Sequence, residues 1–298
     1  MEIPVINLKK LQGDGREETM ACLHEACAKW GFFWVENHGI DAGLMKKVSQ
    51  LVNSHYEERM KKSFYNSDMA KELRDREEPL TGADWESTFF IRHQPNNNIN
   101  DIPDLAVELK EAFEDYVSQL VKLAETLAGL MSENLGLEMD YLKKAFSEPF
   151  VGTKVAVYPQ CPRPELVTGL RAHTDAGGII LLLQDDKVSG LEFLRDGEWV
   201  AVPPTENGRI FVNLGDQVEV VSNGAYKSIL HRVLAPKDGS RLSIATFYNP
   251  GGDAIISPAR ELLYPSQYRF QDYLDYYVGT KFSDKGARFR SIKETVAM

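Results

Sequence analysis

Apolar residues return at three- and four-residue steps through the first half of the chain: Met20, Leu23, Cys27 and Trp30, then Leu44, Val48, Leu51 and His55. That spacing follows the 3.6-residue turn, so each set predicts a helix with one buried face. Between them, residues 31–39 (GFFWVENHG) read as a short strand closed by a glycine turn. The clearest helix runs through Leu109, Phe113, Tyr116, Leu120, Leu123, Leu127 and Leu130, with Asn134 and Gly136 as its stop signal. Such a seam would also suit a coiled-coil dimer. It covers only about three heptads inside a globular sequence, so the expectation is a spine packed on the domain's own sheet.

From about Gly152 to Pro250 the texture changes to short β-rich segments at 191–194, 199–202, 210–214, 218–221 and 242–248. Turns are expected at Asp196-Gly197, Asn207-Gly208, Gly215-Asp216, Asn223-Gly224 and Asp238-Gly239. Many short strands at this spacing predict a sandwich or jelly roll. With no repeat or low-complexity linker, residues 1–298 read as a single catalytic unit of the α+β class. Its parts are a mainly helical flank with short strands (1–150), a jelly-roll core (151–250) and a helical tail (251–298).

Composition narrows the class. With 298 residues the chain is long enough to bury a substantial core, and 43% hydrophobic with 26% charged residues is ordinary for a soluble globule. A net charge of −10 disfavours nucleic acid and anionic membrane as partners, because both need a basic surface. Any anion must therefore be recognised locally. Three cysteines, Cys22, Cys27 and Cys161, make neither a close-spaced metal pair nor a disulfide framework. The amino terminus lacks the basic and apolar regions of a secretory signal, which leaves a cytoplasmic protein as the expectation. A monomer or weak oligomer is the expected assembly.

Candidate chemistry centres on His173, Asp175 and His231. Two imidazoles and one carboxylate can hold one triangular face of an octahedral Fe(II) and leave the opposite positions open for substrate and dioxygen. In an extended chain His173 and Asp175 project to the same side, whereas a helix would separate them by about 200°. The same alternation places Arg171 near the iron. Alternation from Arg241 sends Ser243 and Phe247 to its own face, where a guanidinium beside a hydroxyl suits a carboxylate or bicarbonate. Lys154 reads equally as an anion ligand or as a solvated strand residue.

These residues carry a family resemblance. Trp30-Gly31-Phe32-Phe33, Asn37-His38-Gly39, Asp84-Trp85-Glu86-Ser87, Tyr158-Pro159-Gln160-Cys161-Pro162, Leu170-Arg171-Ala172-His173-Thr174-Asp175-Ala176-Gly177-Gly178, Asn213-Leu214-Gly215-Asp216-Gln217, His231-Arg232-Val233 and Phe247-Tyr248-Asn249-Pro250 span nearly the whole chain. It resembles the plant Fe(II)/2-oxoglutarate-dependent dioxygenases, and among them the ethylene-forming 1-aminocyclopropane-1-carboxylate oxidases.

The resemblance implies a double-stranded β-helix with iron on His173, Asp175 and His231. It implies anion handling by Lys154, Arg171, Gln184, Arg241 and Ser243, with Tyr158 joining Arg241 and Ser243 wherever 2-oxoglutarate is the co-substrate. It further implies a small amino-acid substrate chelating the iron, O2, ascorbate, and bicarbonate or carbon dioxide as activator. That branch carries a basic tail motif, Lys-x-x-x-Lys-Glu-Pro-Arg-Phe. Here it reads Lys281-Phe282-Ser283-Asp284-Lys285-Gly286-Ala287-Arg288-Phe289, so Lys281, Lys285 and Arg288 are retained while Gly286 and Ala287 replace Glu and Pro. Two alternative readings share the fold: a 2-oxoglutarate-dependent enzyme acting on another amino acid or specialised metabolite, and the same ascorbate chemistry on a different small α-amino acid. A non-catalytic binding protein is the contrasting reading, and the intact ligand set argues against it.

Overall fold

The computed structural model describes residues 2–206, 208–259 and 268–282. Its main strands, in chain order, are Val5–Asn7 (β1), Phe32–Glu36 (β2), Ser87–Gln94 (β3), Phe150–Tyr158 (β4), Thr168–His173 (β5), Ile179–Gln184 (β6), Leu191–Arg195 (β7), Glu198–Ala201 (β8), Ile210–Leu214 (β9), His231–Leu234 (β10) and Arg241–Asn249 (β11). Seven form a sheet in the order β1-β2-β9-β6-β11-β4-β3, and four form a second in the order β5-β10-β7-β8. The sheets face one another as a double-stranded β-helix, and helices cover the outer face of the larger one. This is the expected α+β jelly roll.

The central strands show why the chain folds this way. β6 is Ile-Ile-Leu-Leu-Leu-Gln and buried throughout, because its sheet is covered on both faces. Ile179, Leu181 and Leu183 join the core under the helices, while Ile180 and Leu182 face the space between the sheets. β11 alternates likewise, with Leu242, Ile244 and Tyr248 in the helix-side core and Arg241, Ser243, Ala245 and Phe247 lining the inner cavity. The alternation drawn from sequence for this strand holds.

The helix Val107–Asn134 buries all seven residues of its seam and packs against β6 and β11, so the seam is an internal spine. Gly136, at φ 70°, lies just past its end. Each large side chain removed from water there contributes roughly 1.5–3 kcal/mol. The helix Ala42–His55 buries Met45, Val48 and Val52, a stripe turned by one residue from the expected face; Leu44 and Leu51 only flank it. Met20, Leu23 and Cys27 lie in the helix-side core as expected, but Trp30 joins the cluster between the sheets. After Arg16–Glu25 the chain widens into a single turn, Ala26–Trp30, and this carries the last residue of the series across to the other core.

Other expectations fail. Residues 218–221 are not a strand but part of the helix Asp216–Val221, whose Val218, Val220 and Val221 are all buried. Tertiary contacts at its first residues override the β preference of valine. Gly215-Asp216 is accordingly a helix start rather than a turn. In addition, β1 to β3 come from the first hundred residues and join the large sheet, so the sheet extends well outside 151–250.

A buried hydrogen-bond chain links three strands of that sheet: His93 Nε2 meets Thr153 Oγ1 at 2.9 Å, and Thr153 Oγ1 meets Thr246 Oγ1 at 2.9 Å. Burial pushes the His93 imidazole down to about 4 from its usual 6.5. The unfolded chain therefore takes up this proton first as pH falls, so stability is lost between about pH 6.5 and 4. His93→Gln, which keeps a hydrogen-bonding amide without a titration, is expected to flatten that part of the Tm-against-pH curve. An unchanged curve would remove His93 from acid unfolding.

Candidate metal centre

β5 and β10 pair antiparallel with His173 opposite His231, which brings two residues 58 apart in sequence into contact. Their ring centroids lie 4.3 Å apart, and Phe193 stacks on His231 at 4.8 Å. His173 is the last residue of β5; Asp175 lies beyond it, off the strand and just before a bend at 176–178. The carboxylate still reaches both rings, with Oδ1 3.7 Å from His173 Nε2 and Oδ2 3.7 Å from His231 Nε2. The three donors lie within 4.8 Å of one another, and all three residues are buried.

Donor chemistry fits a metal. His173 Nδ1 lies 2.8 Å from the Arg171 carbonyl and His231 Nδ1 3.2 Å from the Ile229 carbonyl. A carbonyl only accepts, so each Nδ1 carries the proton and each Nε2 presents a lone pair toward Asp175. Burial, then the neighbouring His231 and Lys281, hold the His173 pKa well below its usual value, which keeps the ring neutral as a ligand must be. Asn213 donates Nδ2–H to Asp175 Oδ2 at 2.8 Å and orients the carboxylate. Asn213 had no assigned role in the sequence reading; its one signal is a lone amide inside the apolar run of β9.

The loop carrying Asp175 is held by backbone chemistry. Amides of Gly215, Asp216 and Gln217 donate to the carbonyls of Gly178, Asp175 and Gly177 at 2.7, 2.8 and 2.9 Å. Gln217 Nε2 donates to the Ala176 carbonyl at 2.8 Å, and the Tyr277 hydroxyl donates to that of Thr174. All five carbonyls from 174 to 178 are thereby satisfied. Close approach dictates the glycines: a Cβ on Gly215 would lie 2.4 Å from the Gly177 oxygen, and one on Gly178 would lie 2.5 Å from the Tyr248 oxygen.

A cavity of about 80 Å³ opens from the ligands between the sheets. Lys154, Tyr158, Arg241, Ser243, Phe247 and Lys281 all line it. Arg241 is only 1% exposed. Its Nη2 donates to Gln184 Oε1 at 2.9 Å, while Nε and Nη1 have no hydrogen-bond partner among the described residues. Burial lowers its pKa. Gln184 is itself anchored by Nε2 to the Pro203 carbonyl at 2.6 Å, so it braces the guanidinium from behind. Lys154 is no solvated lysine: its Nζ donates to both oxygens of Glu86 at 2.7 Å. Burial, with Glu86 close by, raises the Tyr158 pKa. Lys281 has a lowered pKa, from burial and then from Lys154.

Arg171 departs from its expected place beside the iron. β5 carries one extra residue relative to β10 between Leu170 and His173, and this bulge puts those two, three apart, on the cavity lining. Arg171 turns to the rim instead, where it makes a two-pronged pair with Asp84 at 3.0 and 3.1 Å. Its guanidinium stacks 3.9 Å from the centroid of the Phe282 ring. Asp84, Glu86 and Phe282 had no assigned role in the sequence reading, because their partners lie far away in the chain. Lys285 and Arg288, with Gly286 and Ala287, lie outside the described residues.

Two facing sheets that bury two histidines and one carboxylate at one end of a small cavity define a non-haem Fe(II) oxygenase of the double-stranded β-helix class. Residues 146–250 match the 2OG-Fe(II) oxygenase superfamily, and residues 3–116 match the non-haem dioxygenase in morphine synthesis N-terminal family. The chain belongs to the 1-aminocyclopropane-1-carboxylate oxidase family: oxidase 1 of Arabidopsis thaliana is 60% identical over 99% of this chain and 95% of its own length. Oxidase 4 of Solanum lycopersicum is 51% identical, covering 97% and 94%. Among solved structures, JOX2 in complex with 2OG, Fe and JA matches with a TM-score of 0.83 at 34% identity, over 98% of this chain and 89% of that one. No helix among the described residues is long and apolar enough to cross a membrane.

Gly215→Ala forces the loop carbonyl of Gly177 away and is expected to weaken metal binding by about 10- to 100-fold, as lost outer-shell support does. Titration with Co(II), read by visible absorption, checks this; wild-type affinity would show that the loop yields without moving Asp175.

Proposed function

We propose that this chain oxidises 1-aminocyclopropane-1-carboxylate with O2 and ascorbate to ethylene, carbon dioxide and cyanide, with bicarbonate as activator. Ascorbate supplies two electrons and becomes dehydroascorbate; the amino acid supplies the other two, and the oxygen atoms of O2 leave as water. The observation that carries this reading is the small cavity with the two-histidine, one-carboxylate set at one end and a buried, half-unpartnered Arg241 at the other. About 80 Å³ is little beside the roughly 300–1,000 Å³ of sites for drug-sized ligands. It suits a compact amino acid better than 2-oxoglutarate together with a second metabolite.

His173, Asp175 and His231 would hold the iron. Bound Fe(II) supplies the dioxygen and one-electron chemistry that side chains lack. Arg241 and Ser243 bind a small carboxylate or bicarbonate through the free Nε–H and Nη1–H and the hydroxyl, while Gln184 fixes the fork. Lys154 and Lys281 add positive charge on the side of the mouth, and Glu86 holds Lys154 in place. Lys281, with its lowered pKa, can give or take a proton more readily than a solvated lysine. Arg171, committed to Asp84, acts from the rim by seating Phe282 over the entrance. Phe247 and Ile180 exclude water from the apolar wall.

The test supplies Fe(II)-loaded protein with the cyclic amino acid, ascorbate and bicarbonate and measures ethylene in the headspace. His173→Ala is expected to abolish ethylene. Arg241→Gln should lower kcat/KM about 10- to 100-fold and remove bicarbonate activation, the loss implied by about 1.5–3 kcal/mol for a charge-assisted hydrogen bond. Succinate release from 2-oxoglutarate without ethylene would overturn the proposal in favour of a 2-oxoglutarate-dependent reaction.

A further inference from the structure

We propose that the helix Phe270–Thr280 and the metal-binding loop form one coupled unit, in which Tyr277 and Tyr273 are positioning residues for the metal ligands. The inference rests on the reading that His173, Asp175 and His231 bind metal. Of the five loop carbonyls from 174 to 178, four are satisfied by residues 215–217 and the fifth by Tyr277, which comes from 103 residues further along the chain. That fifth carbonyl belongs to Thr174, which stands between the ligands His173 and Asp175 and is itself 2% exposed.

Tyr273 makes the second tie. Its hydroxyl donates to Asp216 Oδ2, on a carboxylate that is fully buried. The same carboxylate accepts from Thr174 Oγ1 at 3.3 Å and from Ser228 Oγ at 2.7 Å, while the Asp216 amide donates to the Asp175 carbonyl. Ser228 lies three residues before His231. One carboxylate thus joins the loop of two ligands, the approach to the third, and the C-terminal helix. Tyr268 repeats the pattern through Gln217 Oε1 at 2.9 Å, and Gln217 grips the Ala176 carbonyl. The three tyrosine rings stack in series, 5.8 and 6.3 Å apart.

None of these tyrosines lines the cavity, so their action is on the loop and not on a substrate. The helix they dock also ends where Lys281 enters the cavity lining and Phe282 meets Arg171. Coupling of this kind is reciprocal. A docked helix tightens metal binding, and metal binding holds the helix down, which assembles the mouth of the site only on a metal-loaded enzyme.

The experiment follows backbone hydrogen exchange in the full-length protein with and without Co(II), alongside Co(II) titration by visible absorption. In the wild type, Co(II) is expected to slow exchange across residues 270–280. Tyr277→Phe and Tyr273→Phe, each lacking only a hydroxyl, should weaken Co(II) binding by about tenfold and erase that metal-dependent slowing. A variant with faster helix exchange but unchanged Co(II) affinity and spectrum would overturn the coupling, leaving the tyrosines as ordinary packing. Wild-type exchange that ignores bound Co(II) would overturn it as well. Wild-type protein that binds no Co(II) would sink both the coupling and the metal reading beneath it.

Discussion

Everything at this site depends on five consecutive carbonyl groups in a loop that has no strand or helix of its own. Residues 174–178 run through the interior, where an unmet carbonyl costs roughly 1–3 kcal/mol. A handful of such losses would consume a typical margin of about 5–15 kcal/mol. The first residues of the helix Asp216–Val221 meet most of that demand with amides and one side chain. Because donors and carbonyls approach at hydrogen-bond distance there is no space for a Cβ on Gly215, and the Phe146 ring and Tyr248 carbonyl leave none on Gly178. Asp175 therefore owes its position to a segment forty residues away rather than to strand geometry.

Charge is organised on the same principle of local satisfaction. The chain carries a net charge of −10, yet its cavity gathers Lys154, Arg241 and Lys281. Lys154 is balanced by Glu86, and Arg171 at the rim by Asp84. Among the described residues Arg241 hydrogen-bonds only an amide oxygen, through Nη2, and leaves two nitrogens to be satisfied from the cavity. Burying a cation in this way is expensive unless a bound anion completes it. A guanidinium held by Gln184 and already desolvated is organised for a small carboxylate before any ligand arrives, which links the cost in stability to selectivity for small anions.

The periodic parts of the fold were open to reading. The spine from Leu109 to Leu130 and the alternating face of Arg241, Ser243 and Phe247 follow directly from helix and strand periods, since those periods are local properties of the backbone. The fold departs from those periods where one extra residue or one distant contact changes the phase. A bulge in β5 turned Arg171 from the cavity to Asp84. Loop contacts made a helix of the valine-rich segment at 218–221. A one-residue rotation replaced Leu44 and Leu51 by Met45 and Val52 on the buried face of their helix.

By itself the sequence determined the ligand types, the jelly-roll class, the family resemblance and the shared strand face of Arg241, Ser243 and Phe247, because residue chemistry and short-range period suffice for these. Tertiary structure alone decided that His173 sits opposite His231, that Asn213 orients Asp175, that Arg171 belongs to the rim, and that Tyr277 closes the set of loop carbonyls. Those outcomes turn on strand register and on hydrogen bonds between residues dozens of positions apart. No local pattern encodes such pairings, since they follow from satisfying every buried polar group at once.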